Sequence, residues 1–162
     1  MANILVVCTA NQCRSPLAAA LLRQALERAG RDHAVLSAGI IEGGEPSPSE
    51  LVAVGRQHGV DLSGHLSRQL SPALLGEADL ILGMTRHHVR DLSVMLPTAW
   101  PRAFTLREVN RRADELELVR MPVDRLVATI GEGRTTADFL TASRDEDIAD
   151  PMGKGPEAFV EL

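Results

Sequence analysis

Asn3-Ile4-Leu5-Val6-Val7-Cys8, then Thr9-Ala10-Asn11-Gln12-Cys13-Arg14, then Ser15-Pro16-Leu17, is the stretch on which the fold of this chain turns. Its first six residues form a short apolar run without helical spacing, as a strand buried on both faces of a parallel sheet requires. Ser15-Pro16 offers a capping hydroxyl with proline at the first helical position, and Leu17 to Ala29 carries apolar residues at helical spacing until Gly30 stops it. The unit reads as strand, loop, helix.

The same alternation continues outward. Ala34 to Gly39 reads as a second strand, and a loop rich in Gly, Pro and Ser runs through Pro48 into a helix from Ser49 to about His58. Ala78 to Met84 is a third strand, with Thr85 capping a helix to about Met95, and Ala103 to Leu106 a fourth. Leu106 to Arg134, charged but with leucine and valine at helical spacing, predicts an amphipathic helix and lid. Thr135 to Asp145 predicts a short helix, and the residues after Asp150 only the first turn or two of a last one. Regular βα alternation without hairpin turns gives an α/β fold. The expected architecture is an open, doubly wound sheet of four mainly parallel strands, the first one central, with helices on both faces. A length of 162 residues fits one domain spanning 1–162.

Composition narrows the function. A formal charge of −5, with Lys and Arg scattered, provides no electrostatic footprint for nucleic acid or an anionic membrane. The first residues are too short and too uncharged for a secretory signal, and no apolar run approaches the ~18 residues of a membrane span, so the expected location is cytoplasmic. Two cysteines, Cys8 and Cys13, are too few for a disulfide scaffold or an all-cysteine zinc site. Reactivity is their more informative reading.

Ligands of open α/β sheets bind beyond the carboxyl ends of the strands, which points to Cys8 through Ser15. The backbone N–H groups of Thr9, Ala10, Asn11, Gln12 and Cys13 can turn inward around an anion, and the following helix aims its positive dipole end at the same point. A phosphate group suits such a nest. Cys8 stands where strand becomes loop, in surroundings that favour a thiolate nucleophile. Arg14, with five residues between it and Cys8, can fold a planar fork over two phosphoryl oxygens. Ser15 can donate its hydroxyl to the sulfur. A lone cysteine ending a strand is most often a small buried hydrophobe, and a lone arginine a solvated surface group; their joint placement ahead of a helix is what favours chemistry.

The segment Cys8 to Ser15 followed by Pro16-Leu17-Ala18 resembles the signature loop of the low-molecular-weight protein tyrosine phosphatases. The resemblance extends in order through Ser37-Ala38-Gly39, Gly59 to His65, Ser67-Arg68-Gln69-Leu70, Ala78 to Leu82, Met84-Thr85-Arg86 and Asp147-Ile148-Ala149-Asp150-Pro151. It implies the flavodoxin-like architecture of that family and hydrolysis of phosphotyrosine in proteins through a cysteinyl-phosphate, with no metal or other cofactor. Cys8 would be the nucleophile, Arg14 the phosphate clamp and Asp150 the general acid. It further implies that Asn11, Ser15, Ser37 and His65 form a network supporting the loop, and that Cys8 and Cys13 form a reversible disulfide. The implied partner is a phosphorylated protein, with no nucleic acid and no membrane.

Departures from the family pattern bear on substrate. Ala10 stands where glycine is usual, so a backbone requiring positive φ there would be strained or adjusted. The pocket positions Gln12, Ile41 and Met152 replace an apolar residue, a wall aromatic and a tyrosine. With one tryptophan, three phenylalanines and no tyrosine, the chain has few rings to stack on a substrate. Bacterial arginine phosphatases of the same family carry a small polar residue at the position of Gln12, which keeps phosphoarginine as the alternative substrate. A thioredoxin-coupled arsenate reductase is disfavoured because no cysteine follows Cys13. A non-catalytic phosphate- or phosphopeptide-binding module would have no use for Cys8, Arg14 and Asp150 together.

Overall fold

The computed structural model describes residues 1–116, 121–139 and 145–161. Strands β1 (Asn3–Cys8), β2 (Ala34–Gly39), β3 (Leu80–Gly83) and β4 (Ala103–Thr105) form one sheet in the order β2-β1-β3-β4, every neighbouring pair parallel. β1 is therefore flanked on both sides, with Leu5 opposite Leu36 and Ile81, and Cys8 opposite Gly39. This inner position explains why its run is apolar on both faces.

Alternate residues of the strands feed two cores. Ile4, Val6 and Cys8, with Leu82 and Phe104, face α1 (Arg14–Arg28), α5 (Leu106–Leu116) and α6 (Val123–Gly131), which contribute Ala19, Leu106, Val123 and Ile130. Leu5 and Val7, with Ala38 and Ile81, face α3 (Pro72–Glu77) and α4 (Arg86–Met95), which contribute Leu75, Val89 and Leu92. Each fully buried aliphatic or phenyl side chain contributes about 1.5–3 kcal/mol, so these two layers dominate the stability that holds the sheet's carboxyl end in place. A third cluster packs Leu51 and Val54 of α2 (Ser49–Gln57) against Cys13, Leu17 and Phe159, the last from the short α7 (Glu157–Val160).

The differences from expectation have local causes. The stretch Leu106 to Arg134 is not one helix and lid but two helices, α5 and α6. Pro122 occupies the N-cap of α6, where its missing N–H and fixed φ are tolerated and a continuous helix would not be. Both pack on the sheet through Leu106, Val109, Val123 and Ile130 and belong to the core. Of the helix predicted over Thr135 to Asp145, a single 3-10 turn at Thr136–Phe139 is present, and residues 140–144 lie outside the described residues. α3 is an addition: Ser71 caps it by accepting from the Leu74 N–H, and Pro72 opens it, a Ser-Pro signal of the kind seen at Ser15-Pro16.

Candidate active site

Cys8 ends β1 with its thiol 2% exposed, and the chain then curls through Thr9–Cys13 into α1. The helix starts at Arg14 rather than after a Ser15 cap; Cys13 holds the N-cap position and makes no side-chain cap bond. Ser15 is thereby released for the sulfur, its Oγ lying 3.0 Å from Cys8 Sγ. That oxygen accepts from Asn11 Nδ2 at 2.9 Å, so its one proton can go to the sulfur, the Ala38 carbonyl at 3.5 Å being the more distant acceptor. Asn11 N–H also donates to Cys8 Sγ, at 3.2 Å.

Asn11 is the hub of the loop. It is wholly buried, and its φ of 53° lies in the left-handed region that asparagine tolerates better than other side chains. All four of its polar groups are used: beyond the sulfur and Ser15, its Oδ1 accepts the Arg68 N–H at 2.9 Å and its carbonyl accepts His65 Nε2–H at 2.7 Å. His65 thus joins the network. Ser37 does not: it stands in β2 opposite Val6, and it is the carbonyl of its neighbour Ala38 that reaches Ser15. Among the described residues Asn11 is the one non-glycine with positive φ, so Ala10 is free of the strain expected there. The glycine that the loop does need is Gly39. A Cβ on it would meet Ala10 C and Asn11 N at 2.7 Å, and the Ile40 and Ile41 N–H groups beside it bond the Cys8 and Thr9 carbonyls at 3.1 Å each.

Arg14, 6% exposed, reaches across the mouth of this loop. Nη1 donates to the Ile148 carbonyl and Nη2 to Thr9 Oγ1, each at 3.3 Å, and Nη2 pairs with the Asp150 carboxylate. Asp150, by contrast, is 43% exposed. The segment before it is tied to the carboxyl end of the sheet by Ile148 N–H on Met84 O and Arg86 N–H on Asp147 Oδ1, both at 2.8 Å. Glu146 completes the anchor through Arg111 at 2.9 Å and Arg86 at 3.2 Å. Burial works to raise its carboxyl, but hydrogen bonding and charge from Arg111 and Arg86 outweigh that and hold it below the usual glutamate range.

Sequence reasoning missed His88. It is 2% exposed on α4, with Nε2 3.0 Å from Thr9 Oγ1 and Nδ1 2.7 Å from the Thr85 hydroxyl that caps the helix. Burial first, then Arg14 and His87, push it down to about 4, with Asp150 opposing, so it is neutral at physiological pH. Thr85 was legible as a cap, but nothing in the neighbourhood of His88 announces a contact with a residue 79 positions away.

At the rim, Ile41 bonds through its N–H to the Thr9 carbonyl and is half exposed, as is Met152, whose Sδ accepts the Cys13 thiol at 3.2 Å. The Gln12 carbonyl is bound by Ser47 Oγ at 2.9 Å, and its residue is partly exposed. Cys13 itself is 3% exposed and, like Cys8, a free thiol. Burial, reinforced by Asp150 and Cys8, pushes it up to about 12 and keeps it protonated. Among the described residues, no three His, Cys, Asp or Glu side chains converge as a metal site.

Comparison with known proteins adds an independent line. The family model described as "Low molecular weight phosphotyrosine protein phosphatase" matches residues 3–125, a span that contains the Cys8–Ser15 loop and stops short of Asp150. The probable low molecular weight protein-tyrosine-phosphatase EpsP of Ralstonia solanacearum is 43% identical over 110 residues, 67% of this chain and 73% of that protein. A protein-arginine-phosphatase of Bacillus subtilis is 36% identical over 108 residues, 65% of this chain and 71% of that one. The solution structure of a low molecular weight protein tyrosine phosphatase from Bacillus subtilis superposes with a TM-score of 0.72 at 26% identity, covering 98% of this chain and 85% of the other. Fold, loop and sequence match agree, and the chain belongs to the low molecular weight phosphotyrosine protein phosphatase family.

Proposed function

We propose that this protein hydrolyses phosphotyrosine in proteins through a cysteinyl-phosphate, with Cys8 as nucleophile, Arg14 as phosphate clamp and Asp150 as general acid and base, all within one domain over 1–162. The observation that supports this most directly is the convergence on one sulfur. Asn11 N–H and Ser15 Oγ meet Cys8 Sγ at the start of α1, while Arg14 joins Asp150 across the same mouth.

The thiolate attacks phosphorus in line; the phosphorus–oxygen bond to the leaving group breaks as Asp150 gives its proton to that oxygen. In the second step a water attacks phosphorus and yields its proton to Asp150. The sulfur–phosphorus bond breaks, and Ser15 Oγ–H donates to the departing thiolate. The inward N–H groups of the loop and Arg14 bind the equatorial oxygens through both steps. Arg14 cannot give Nη2 fully to a phosphoryl oxygen while Asp150 holds it, so substrate and acid compete for one donor. A bound phosphoryl group therefore frees the carboxyl to face the leaving oxygen.

Phosphoarginine is the second reading. The rim presents Ile41 and Met152 rather than rings, Gln12 is polar, and one relative acts on arginine as its name states. A cytoplasmic location is part of the proposal, since that compartment keeps a nucleophilic thiol reduced. No described helix is long and apolar enough to cross a membrane.

The test is hydrolysis of an aryl phosphate at about pH 6 with chelator present, comparing wild type with Cys8→Ser. Loss of turnover in the variant is expected, after which phosphotyrosine and phosphoarginine peptides are compared. A folded wild type without turnover, or a Cys8→Ser protein that retains it, refutes the mechanism.

A further inference from the structure

We infer that His88 is a positioning residue for Arg14, acting through the Thr9 hydroxyl, so that the phosphate clamp is held from α4 as well as from its own loop. The inference rests on the assignment of Arg14 to phosphate binding. Three contacts in series support it: Arg14 Nη2 to Thr9 Oγ1 at 3.3 Å, Thr9 Oγ1 to His88 Nε2 at 3.0 Å, and His88 Nδ1 to Thr85 Oγ1 at 2.7 Å.

Proton bookkeeping gives the chain a direction. Arg14 can only donate, so Thr9 Oγ1 accepts from it, and in the tautomer we assign Thr9 gives its own proton to His88 Nε2. His88 Nδ1 then carries the ring proton and donates it to Thr85 Oγ1, which accepts the His88 backbone N–H as well, at 3.2 Å. Every bond polarises the next in one sense, and the Thr9 lone pairs are left facing the guanidinium. A protonated ring would reverse the middle bond and set a second cation beside Arg14. The titratable and charged groups around the ring are Arg14 from α1, His87 from its own helix and Asp150 from the acid segment; burial and Arg14 keep it neutral against Asp150. His87, 73% exposed in its side chain and paired with Asp91, is not part of the chain of bonds.

Amide replacements separate the two ends of the ring. A glutamine amide reaches roughly where Nε2 lies and can still accept from Thr9; an asparagine amide reaches only the Nδ1 position and the Thr85 end. The experiment measures kcat/KM for an aryl phosphate, and inhibition by inorganic phosphate, in His88→Gln, His88→Asn, Thr9→Val, Thr9→Ser and the His88→Asn/Thr9→Val pair, with a thermal melt of each. His88→Asn and Thr9→Val should each lower both quantities roughly ten- to hundredfold, as loss of a hydrogen bond to a charged group does, with the pair no worse than either alone. His88→Gln and Thr9→Ser should stay within about threefold of wild type.

Equal damage from Gln and Asn, a doubly mutated protein with multiplied losses, or an undiminished His88→Asn overturns the inference. Should the His88 variants fail to fold, the Thr9 pair decides: Thr9→Val with wild-type phosphate inhibition overturns it. A folded wild type without turnover removes the assignment of Arg14 and this inference together, whereas an active wild type with any of the contrary results removes this inference alone.

Discussion

Replacing Asn11 by alanine removes two of the four bonds at the hub and leaves the backbone pair in place. The Arg68 N–H loses its Oδ1 acceptor, and a donor left without a partner in a part-buried site costs about 1–3 kcal/mol. The Nδ2 bond to Ser15 contributes about 1 kcal/mol more. Alanine must also hold a φ of 53°, at a cost of about 1–2 kcal/mol that asparagine partly escapes. The sum is about 3–6 kcal/mol of lost stability, a large share of what a domain of this size has. Asn11→Gly loses the same two bonds but not the φ tolerance, and should lie about 1 kcal/mol above the alanine protein. Urea unfolding followed by circular dichroism, with m-values compared to confirm that only the midpoint moves, measures both. An alanine protein within about 1 kcal/mol of wild type, or a glycine protein with full stability, would show that the side-chain bonds do not hold the loop.

Three further outcomes are expected. Asp150→Asn should slow turnover by about 10²–10⁴-fold while vanadate still binds; unchanged turnover removes Asp150 from the mechanism. His88 titrates near 6.5 when unfolded but about 4 when folded, so the unfolded chain binds more protons between those values. Its contribution is complete above the unfolded value and is lost as pH falls from there through the folded one, by at most about 3 kcal/mol. Unfolding free energies of wild type minus His88→Asn across that window should carry this slope, and parallel curves refute it. If Cys13 resolves an oxidised Cys8, as the family resemblance implies, a thiol pushed up to about 12 can do so only through its scarce thiolate. Disulfide closure after peroxide treatment should therefore quicken by about tenfold per pH unit, read by peptide mass after acid quench, and a flat profile would contradict the assignment.

What could be read from sequence was what is local in sequence. Cys8, Asn11, Arg14 and Ser15 meet because one strand, one turn and one helix bring them together, and each of those elements announces itself within its own residues. The parallel order of the sheet followed from the absence of hairpin turns between strands. Asp150 came only through family resemblance, since its contact with Arg14 spans 136 positions and an Asp-Pro turn signals nothing by itself. His88 and Glu146 were invisible for the same reason: each is a polar residue in an ordinary helical or loop context, and burial or pairing is decided elsewhere. The helix boundary at Pro122 was the exception, a local signal present in the sequence but overridden by the apolar spacing on either side of it. Ala10 was misleading in the opposite way, since the left-handed residue of the loop is its neighbour.

The proposed clamp and the proposed acid, Arg14 and Asp150, stand 136 positions apart, and synthesis delivers them in that order. A ribosome that has extruded β1 to β4 has already supplied the thiol, the arginine and every strand that positions them, while the proton donor is still to come. Interruption between those two points would leave a protein equipped to grip phosphorylated partners and ill equipped to let them go. On the proposed roles, termination before Asp150 would then act less as a missing enzyme than as a competitor for its substrates.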